Sequence, residues 1–293
     1  MKRWWLSLLL ALACLPGRAE VVVTDVGGVR IALAGPARRI VSLSPHITEL
    51  LFAAGAGSRV VGNVDYGDYP PAAAALPKVG GASRLDLEAI VALKPDLVLG
   101  WESGNAPAAI SRLRSMGLTV HVSETHRIED IPGELERIGK MAGTEAAASA
   151  AAKAFRQRYA RLAARYGRQS QVTVFYQIWK QPLMTVNREQ IISDAISLCG
   201  GRNVFAQLPI LAPTVTVEAV IAANPEAIIA SGMDQSRPEW LDDWRRWTTL
   251  AAVAANNLYF VPPELIQRHT PRFLDGAEML CEQLEAARRK RGR

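Results

Sequence analysis

A chain of 293 residues, 49% hydrophobic and 21% charged, is long enough for two domains and apolar enough to pack a core in each. Its formal charge of +6 does not mark a nucleic-acid binder. Lys2, Arg3 and Arg18 fall in an N-terminal leader and Arg288, Arg289, Lys290, Arg291 and Arg293 in a terminal cluster, so without these eight cations the body carries about −2, whereas a nucleic-acid surface sets its cations on the fold.

The leader pairs basic Lys2-Arg3 with a short apolar run over residues 4–13, then places Gly17 and Ala19 at −3 and −1. This predicts a signal peptide over residues 1–19 and an exported, soluble mature chain. The competing reading is a lipid anchor at Cys14, against which Ala11-Leu12-Ala13 lacks Leu at the third position before the cysteine. Residues 21–33 read as a β-hairpin turning at Gly27-Gly28. A buried-type strand at 39–43 runs into a helix opened by Ser44 as cap and Pro45 in the first turn. Strands at 60–63, 97–99 and 119–122 follow, with helices between them, a pattern of parallel sheet and flanking helices.

From Thr144 to Tyr166 the chain is Ala-rich with neither Pro nor Gly, which predicts one helix of about 23 residues and about 35 Å. A stiff strut of this kind implies little hinge motion. A second set of elements succeeds it: a strand at 172–179, a helix at 190–198 ended by Gly200-Gly201, a helix carrying Trp240, Trp244 and Trp247 as a core stripe, a strand at 258–261 and a last helix at 271–287. The implied organisation is an N-terminal α/β lobe at 20–142, an interlobe helix at 143–168, a C-terminal α/β lobe at 169–287 and a solvated basic tail at 288–293.

Two segments about 130 residues apart repeat one another. Leu85-Asp86-Leu87-Glu88-Ala89-Ile90-Val91-Ala92 leads into Lys94-Pro95-Asp96-Leu97-Val98-Leu99. Val215-Thr216-Val217-Glu218-Ala219-Val220-Ile221-Ala222 leads into Asn224-Pro225-Glu226-Ala227-Ile228-Ile229. Each reads as a short helix with Glu near its start, a Pro stop and an apolar strand. One long-range repeat points to two similar lobes rather than a solenoid, and paired lobes enclose a cleft for a small ligand. Beyond Cys14, the chain has only Cys199 and Cys281, an even pair that predicts a disulfide in an oxidising compartment.

Four motifs carry a family resemblance: Arg39-Ile40-Val41-Ser42-Leu43-Ser44-Pro45 with Thr48-Glu49-Leu50; Tyr66-Gly67-Asp68-Tyr69-Pro70-Pro71; Leu87-Glu88 with Lys94-Pro95-Asp96-Leu97-Val98; and Cys199-Gly200-Gly201 with Asn203-Val204-Phe205. From about residue 38 onward the chain resembles the periplasmic substrate-binding proteins of ABC importers that carry cobalamin, haem and ferric siderophores, and most of all those for cobalamin. The resemblance implies an α/β fold of two lobes, each a parallel-type sheet flanked by helices, bridged by one long helix, and it too implies the Cys199–Cys281 disulfide. It gives Glu88 and Glu218 the role of docking onto arginines of the membrane subunits, beside the plainer role of a carboxylate favouring a helix N-terminus.

For the cleft the resemblance implies Pro45, His46, Tyr66, Trp101, Gly104 and Asn105 from the first lobe and Ile178, Met184, Thr214 and Glu264 from the second. The expected ligand is cobalamin or a close corrinoid, carried as cargo rather than as a cofactor, with an importer's membrane subunits as partner and the protein itself a monomer. Departures from the pattern are Ala82 and Ala212 in place of tryptophans and Ile178 and Met184 in place of phenylalanines. His46 is either a surface imidazole or a ligand to the cargo's metal.

A ferric siderophore or haem is the alternative, for which Arg84, Lys180, Arg188 and Arg268 are candidate cations. A bare metal-ion site is disfavoured because His46, His121, His126 and His269 show no ligand spacing. An enzyme is disfavoured by the lack of a nucleophile elbow, a phosphate loop or a Cys-His pair.

Overall fold

The structure is a computed structural model describing residues 20–81, 84–232 and 236–291; the leader and Ala82 lie outside the described residues. A hairpin of β1 (Val21–Thr24) and β2 (Arg30–Leu33) opens the fold. In the first lobe β3 (Ile40–Ser42) and β4 (Val60–Gly62) precede a small ribbon of β5 (Gly80–Gly81) and β6 (Arg84–Leu85), and then β7 (Leu97–Trp101) and β8 (Val120–Ser123). The parallel sheet runs β4-β3-β7-β8. The second lobe has β9 (Val172–Gln177), β10 (Gly201–Asn203), β11 (Ala227–Ala230) and β12 (Leu258–Phe260), parallel in the order β10-β9-β11-β12. Counted within its own lobe, each sheet therefore has its second strand outside the first, and the third and fourth on the opposite side.

The repeated segments occupy equivalent places in the two sheets. The helix Leu87–Ala92 is capped by Asp86, whose carboxylate accepts from Ala89 N, and the helix Val217–Ala223 by Thr216, which accepts from Ala219 N. Lys94 and Asn224 then turn the chain at φ 47° and 42°. The next carboxylate reaches back to the start of the neighbouring first strand. Asp96 accepts from Arg38 N and Arg39 N (2.8 and 3.0 Å), and Glu226 accepts from Thr173 N (2.8 Å). The acid after each Pro is therefore a strand clamp, and the exposed Glu88 and Glu218 sit in the first turns of matching helices.

Period-two alternation sends the strands into separate cores. Ile40, Leu97, Leu99, Val174, Tyr176 and Ile229 join one continuous cluster with Ala148, Ala152, Phe155, Leu162 and Tyr166 of the helix Glu145–Tyr166. Val41 and Val98 face a second cluster, and Phe175 and Ile228 a third, on the outer side of each sheet. The 22-residue helix spans about 33 Å. One core shared by helix and both sheets resists lobe separation, because opening it exposes apolar surface from both halves.

The lobes also meet through charge. Glu49, in the helix Pro45–Ala53, accepts from Arg268 (2.7 Å) and from both Nε and Nη2 of Arg272 (3.0 and 2.7 Å), more than 200 residues along the chain. Its side chain is 2% exposed. At another edge Ile128 N donates to Asp194 (2.9 Å). Cys199 and Cys281 are bonded across 82 residues, a loop length for which chain entropy supplies about 4 kcal/mol.

Three expectations are corrected. Ser44 does not cap its helix; its hydroxyl pairs with the His46 ring instead. The Trp-bearing helix is a 3₁₀ segment, Glu239–Arg246, although its stripe does face the core: Trp244 is buried with its indole N–H donating to Gln177 (2.8 Å), and half-buried Trp240 and Trp247 pack against the same cluster. The basic tail is not a solvated end as far as Arg291. The helix Phe273–Lys290 continues through it, Arg288 donates to Cys199 O and Gly200 O, and Arg291 pairs with Glu226. Carbonyls and a carboxylate at the lobe's edge give these cations partners that a sequence does not display.

Glu49→Ala leaves two guanidiniums facing each other without their shared carboxylate. Its unfolding free energy in urea is expected to fall by about 3 kcal/mol, the low end for breaking a buried pair because both arginines keep some water.

Candidate ligand-binding cleft

The crevice beyond the carboxyl ends of the parallel strands, where connections leave the sheet in opposite directions, is the usual ligand position in open α/β sheets. In the first lobe this point lies between β3 and β7, and it delivers Ser44, Pro45 and His46 from one strand end and Trp101 from the other. Together with Tyr66 and Asp68 they form one wall of a cavity of about 500 Å³, and Pro263, Glu264, Gln267 and Arg268 form the opposing wall from the second lobe. Its volume is in the range of small-molecule sites.

The predicted residues divide into two groups. Pro45, His46, Tyr66, Trp101 and Glu264 line this cavity. Gly104 and Asn105 stand behind it. A Cβ at Gly104 would lie 1.8 Å from the Trp101 ring, so only glycine lets the indole lie where it does. Asn105 accepts from Trp101 N (2.8 Å) and donates to Leu43 O (3.0 Å), which ties the end of β7 to the end of β3. Ile178, Met184 and Thr214 come together in the second lobe through bridges linking Trp179, Met184 and Thr214, and Ile178 N donates to Met184 O (3.0 Å). They are not part of the lining of the 500 Å³ cavity. Half-buried Ala212 lies beside this bridge, two residues before Thr214.

The cavity floor is aromatic. His46 is only 6% exposed, so it is not a surface imidazole. Trp101 meets it edge-on (centroids 5.0 Å, planes at 85°), and His269, from the other lobe, lies 5.3 Å away. Trp101 Nε1 donates to Glu124 (3.1 Å), which fixes the indole. Burial, then the neighbouring His269 and Arg268, holds His46 well below the usual imidazole range, and burial takes His269 down to about 4. Both imidazoles are neutral at pH 7.

Arg268 spans the cleft. It donates to Glu49 (2.7 Å), to Asp68 (2.9 Å) and to Tyr66 O (3.1 Å), all in the first lobe. Arg272 lies over the Tyr69 ring at 3.7 Å. The other proposed cations are elsewhere: Lys180 pairs with Asp243 (2.9 Å), Arg188 reaches Gln207 (3.5 Å) and Arg84 is exposed. Glu264 Oε2 is buried and has no hydrogen-bond partner among the described residues. Such an acceptor at a cavity wall suits an incoming N–H.

Asp68, Gln267 and His269 were not among the sequence-derived site residues, and Arg268 entered only as a cation for an anionic chelate. Arg268 and Arg272 are four apart around His269, and Glu49 is the acid of the helix that follows the first strand. That spacing was a usable signal for an ion cluster, although nothing in sequence brings positions 49 and 268 together.

A family model for periplasmic binding proteins matches residues 40–265. The vitamin B12-binding protein of Vibrio cholerae serotype O1 is 34% identical over 256 residues, covering 87% of this chain and 92% of that protein. The vitamin B12-binding protein of Yersinia pestis (strain Pestoides F) is 34% identical over 251 residues, covering 86% and 88%. The crystal structure of the periplasmic vitamin B12 binding protein of Vibrio cholerae superposes with a TM-score of 0.80 over 86% of this chain and 98% of that one, at 34% identity. A periplasmic haem-binding protein from Roseiflexus sp. RS-1 has a TM-score of 0.73 at 22% identity, over 86% and 99%, and shares the fold.

The depressed His269 sets a sign for pH dependence. Below pH 6.5 the unfolded chain binds a proton that the folded ring refuses until about pH 4. Its contribution to stability is therefore complete above pH 6.5 and declines as pH falls toward 4. Between those limits the stability of His269→Gln is expected to depend on pH less steeply than that of the parent, by up to about 1.4 kcal/mol per pH unit in urea titrations.

Proposed function

We propose that this chain, which belongs to the periplasmic binding protein family, captures cobalamin or a close corrinoid in the interlobe cleft and delivers it to an ABC importer. The observation that carries the reading is likeness over both lobes at once: the vitamin B12-binding protein of Vibrio cholerae serotype O1 matches 87% of the chain. The role is one of binding, not catalysis, and the corrinoid is cargo. The protein acts as a monomer in the periplasm, delivered there by the signal peptide at residues 1–19.

In this reading Pro45, His46, Tyr66 and Trp101 meet the ligand from one lobe and Glu264, Gln267 and Arg268 from the other. Gly104 and Asn105 position Trp101. Ile178, Met184 and Thr214 form the outer margin of the second wall. The electrostatics favour an amide-rich corrinoid over an anionic chelate or a haem carboxylate. Arg268 already has two carboxylates, Lys180 has Asp243, and both the lining His46 and the His269 packed against it are neutral, so the cavity offers no surplus positive charge. Calorimetric titration with cyanocobalamin, hemin and a ferric hydroxamate tests this. Saturable heat with cyanocobalamin and none with the other two is expected; preference for either iron ligand rejects the reading.

Glu88 and Glu218 supply one exposed carboxylate per lobe for docking on basic residues of the membrane subunits. Exposed charge pairs of this kind govern orientation and association rate more than cargo affinity. The double variant Glu88→Lys/Glu218→Lys is expected to keep its Kd for cyanocobalamin within about 2-fold while uptake falls at least 10-fold. Unchanged uptake disproves the docking role.

A further inference from the structure

We infer that His46 bonds through Nε2 to the cobalt of a corrinoid whose axial position is open, that is, an incomplete corrinoid lacking its nucleotide base. The inference rests on the corrinoid reading of the cleft. His46 is part of the cavity lining, and its Nδ1 lies 2.7 Å from the Oγ of Ser44, the lining residue two positions before it. When Nδ1–H donates to that oxygen, Nε2 carries the lone pair, which is the arrangement that orients a metal-binding imidazole. Ser44 is freed for this task because it does not cap its helix.

The neighbouring rings fit a macrocycle bound in this way. An imidazole that ligates a metal inside a flat ring stands perpendicular to that ring. Trp101 stands at 85° to His46 and also at 85° to His269, so its plane is free to lie parallel to such a macrocycle. A ligating nitrogen about 2.1 Å from the metal puts the imidazole centre roughly 3 Å from the ring plane. An indole stacked on the same face lies about 3.5 Å from it. Two centres at nearly equal height are then separated sideways, and the observed 5.0 Å leaves room for both on one face. His269 packs at 5.3 Å from the opposite lobe and restricts rotation of the ligating ring. A lone imidazole suits a metal that arrives with its equatorial positions already filled. The step is a ligand substitution: one bound water leaves cobalt as the Nε2 lone pair takes its place, and the oxidation state is unchanged.

Visible spectroscopy with diaquocobinamide, alongside calorimetry with cyanocobalamin, tests the proposal. The parent protein is expected to shift the cobinamide bands to those produced by adding free imidazole to the ligand. His46→Ala and His46→Gln are expected to lose the shift and to bind diaquocobinamide at least about 10-fold more weakly, and added imidazole restores the bands in His46→Ala. Cobinamide bound by the parent with the spectrum of the free ligand overturns the inference and leaves corrinoid binding standing. A shift that persists in both variants overturns it as well. If neither corrinoid gives heat with the parent protein, the corrinoid reading fails and takes this inference with it.

Discussion

The width of the cleft is set by one carboxylate and the two guanidiniums that enclose it. Glu49 comes from the helix that begins at the cavity wall, and Arg268 and Arg272 come from the segment that forms the facing wall. Any movement that parts the walls must first separate these groups, and the acid, at 2% exposure, has little water to turn to. Removing one member of such a cluster is costly, because the others keep their charge without the geometry that justified burying it. Arg268 carries the constraint to the mouth of the cavity through Asp68 and Tyr66 O, so a ligand that enters there competes for a group that also sets lobe spacing.

Around that latch the molecule repeats one plan twice. Each lobe has the same strand order, the same capped helix with an exposed Glu, the same left-handed turn and the same carboxylate clamp on the first strand. Duplication puts two strand ends with similar surroundings on opposite sides of a single crevice. The helix Glu145–Tyr166 then fuses the inner faces of both sheets into one apolar cluster. A ligand site assembled from two rigid halves that share a core needs little ordering when it binds, which lowers the entropic cost of association.

The chemistry of the crevice is neutral where it is deepest. His46 and His269 are uncharged at pH 7, Trp101 offers an apolar face, and the cations at the rim have acid partners. The groups left to recognise a ligand are ring faces, a buried carboxylate oxygen on Glu264, and nitrogen lone pairs. That set suits a large, flat molecule with peripheral amides and a coordinated metal, and it gives little hold on a highly anionic one.

Local order was written in the sequence. The Ala-rich run without Pro or Gly dictated the long helix, the glycine pair the first turn, and the repeat at Glu88 and Glu218 the two-lobed plan. Each depends on neighbours within a few residues, where periodicity and backbone sterics act. Motif resemblance reached Pro45, His46, Tyr66, Trp101 and Glu264, which the structure gathers on one cavity. Burial and pairing were decided only in three dimensions. His46 looked like a residue at an exposed helix start and is enclosed by a histidine from the other lobe; the basic run from Arg288 looked solvated and is anchored to Cys199, Gly200 and Glu226; Glu49 finds its partners more than 200 residues away. A side chain's charge state and partners depend on what the fold brings within a few ångströms, and no local pattern records that distance.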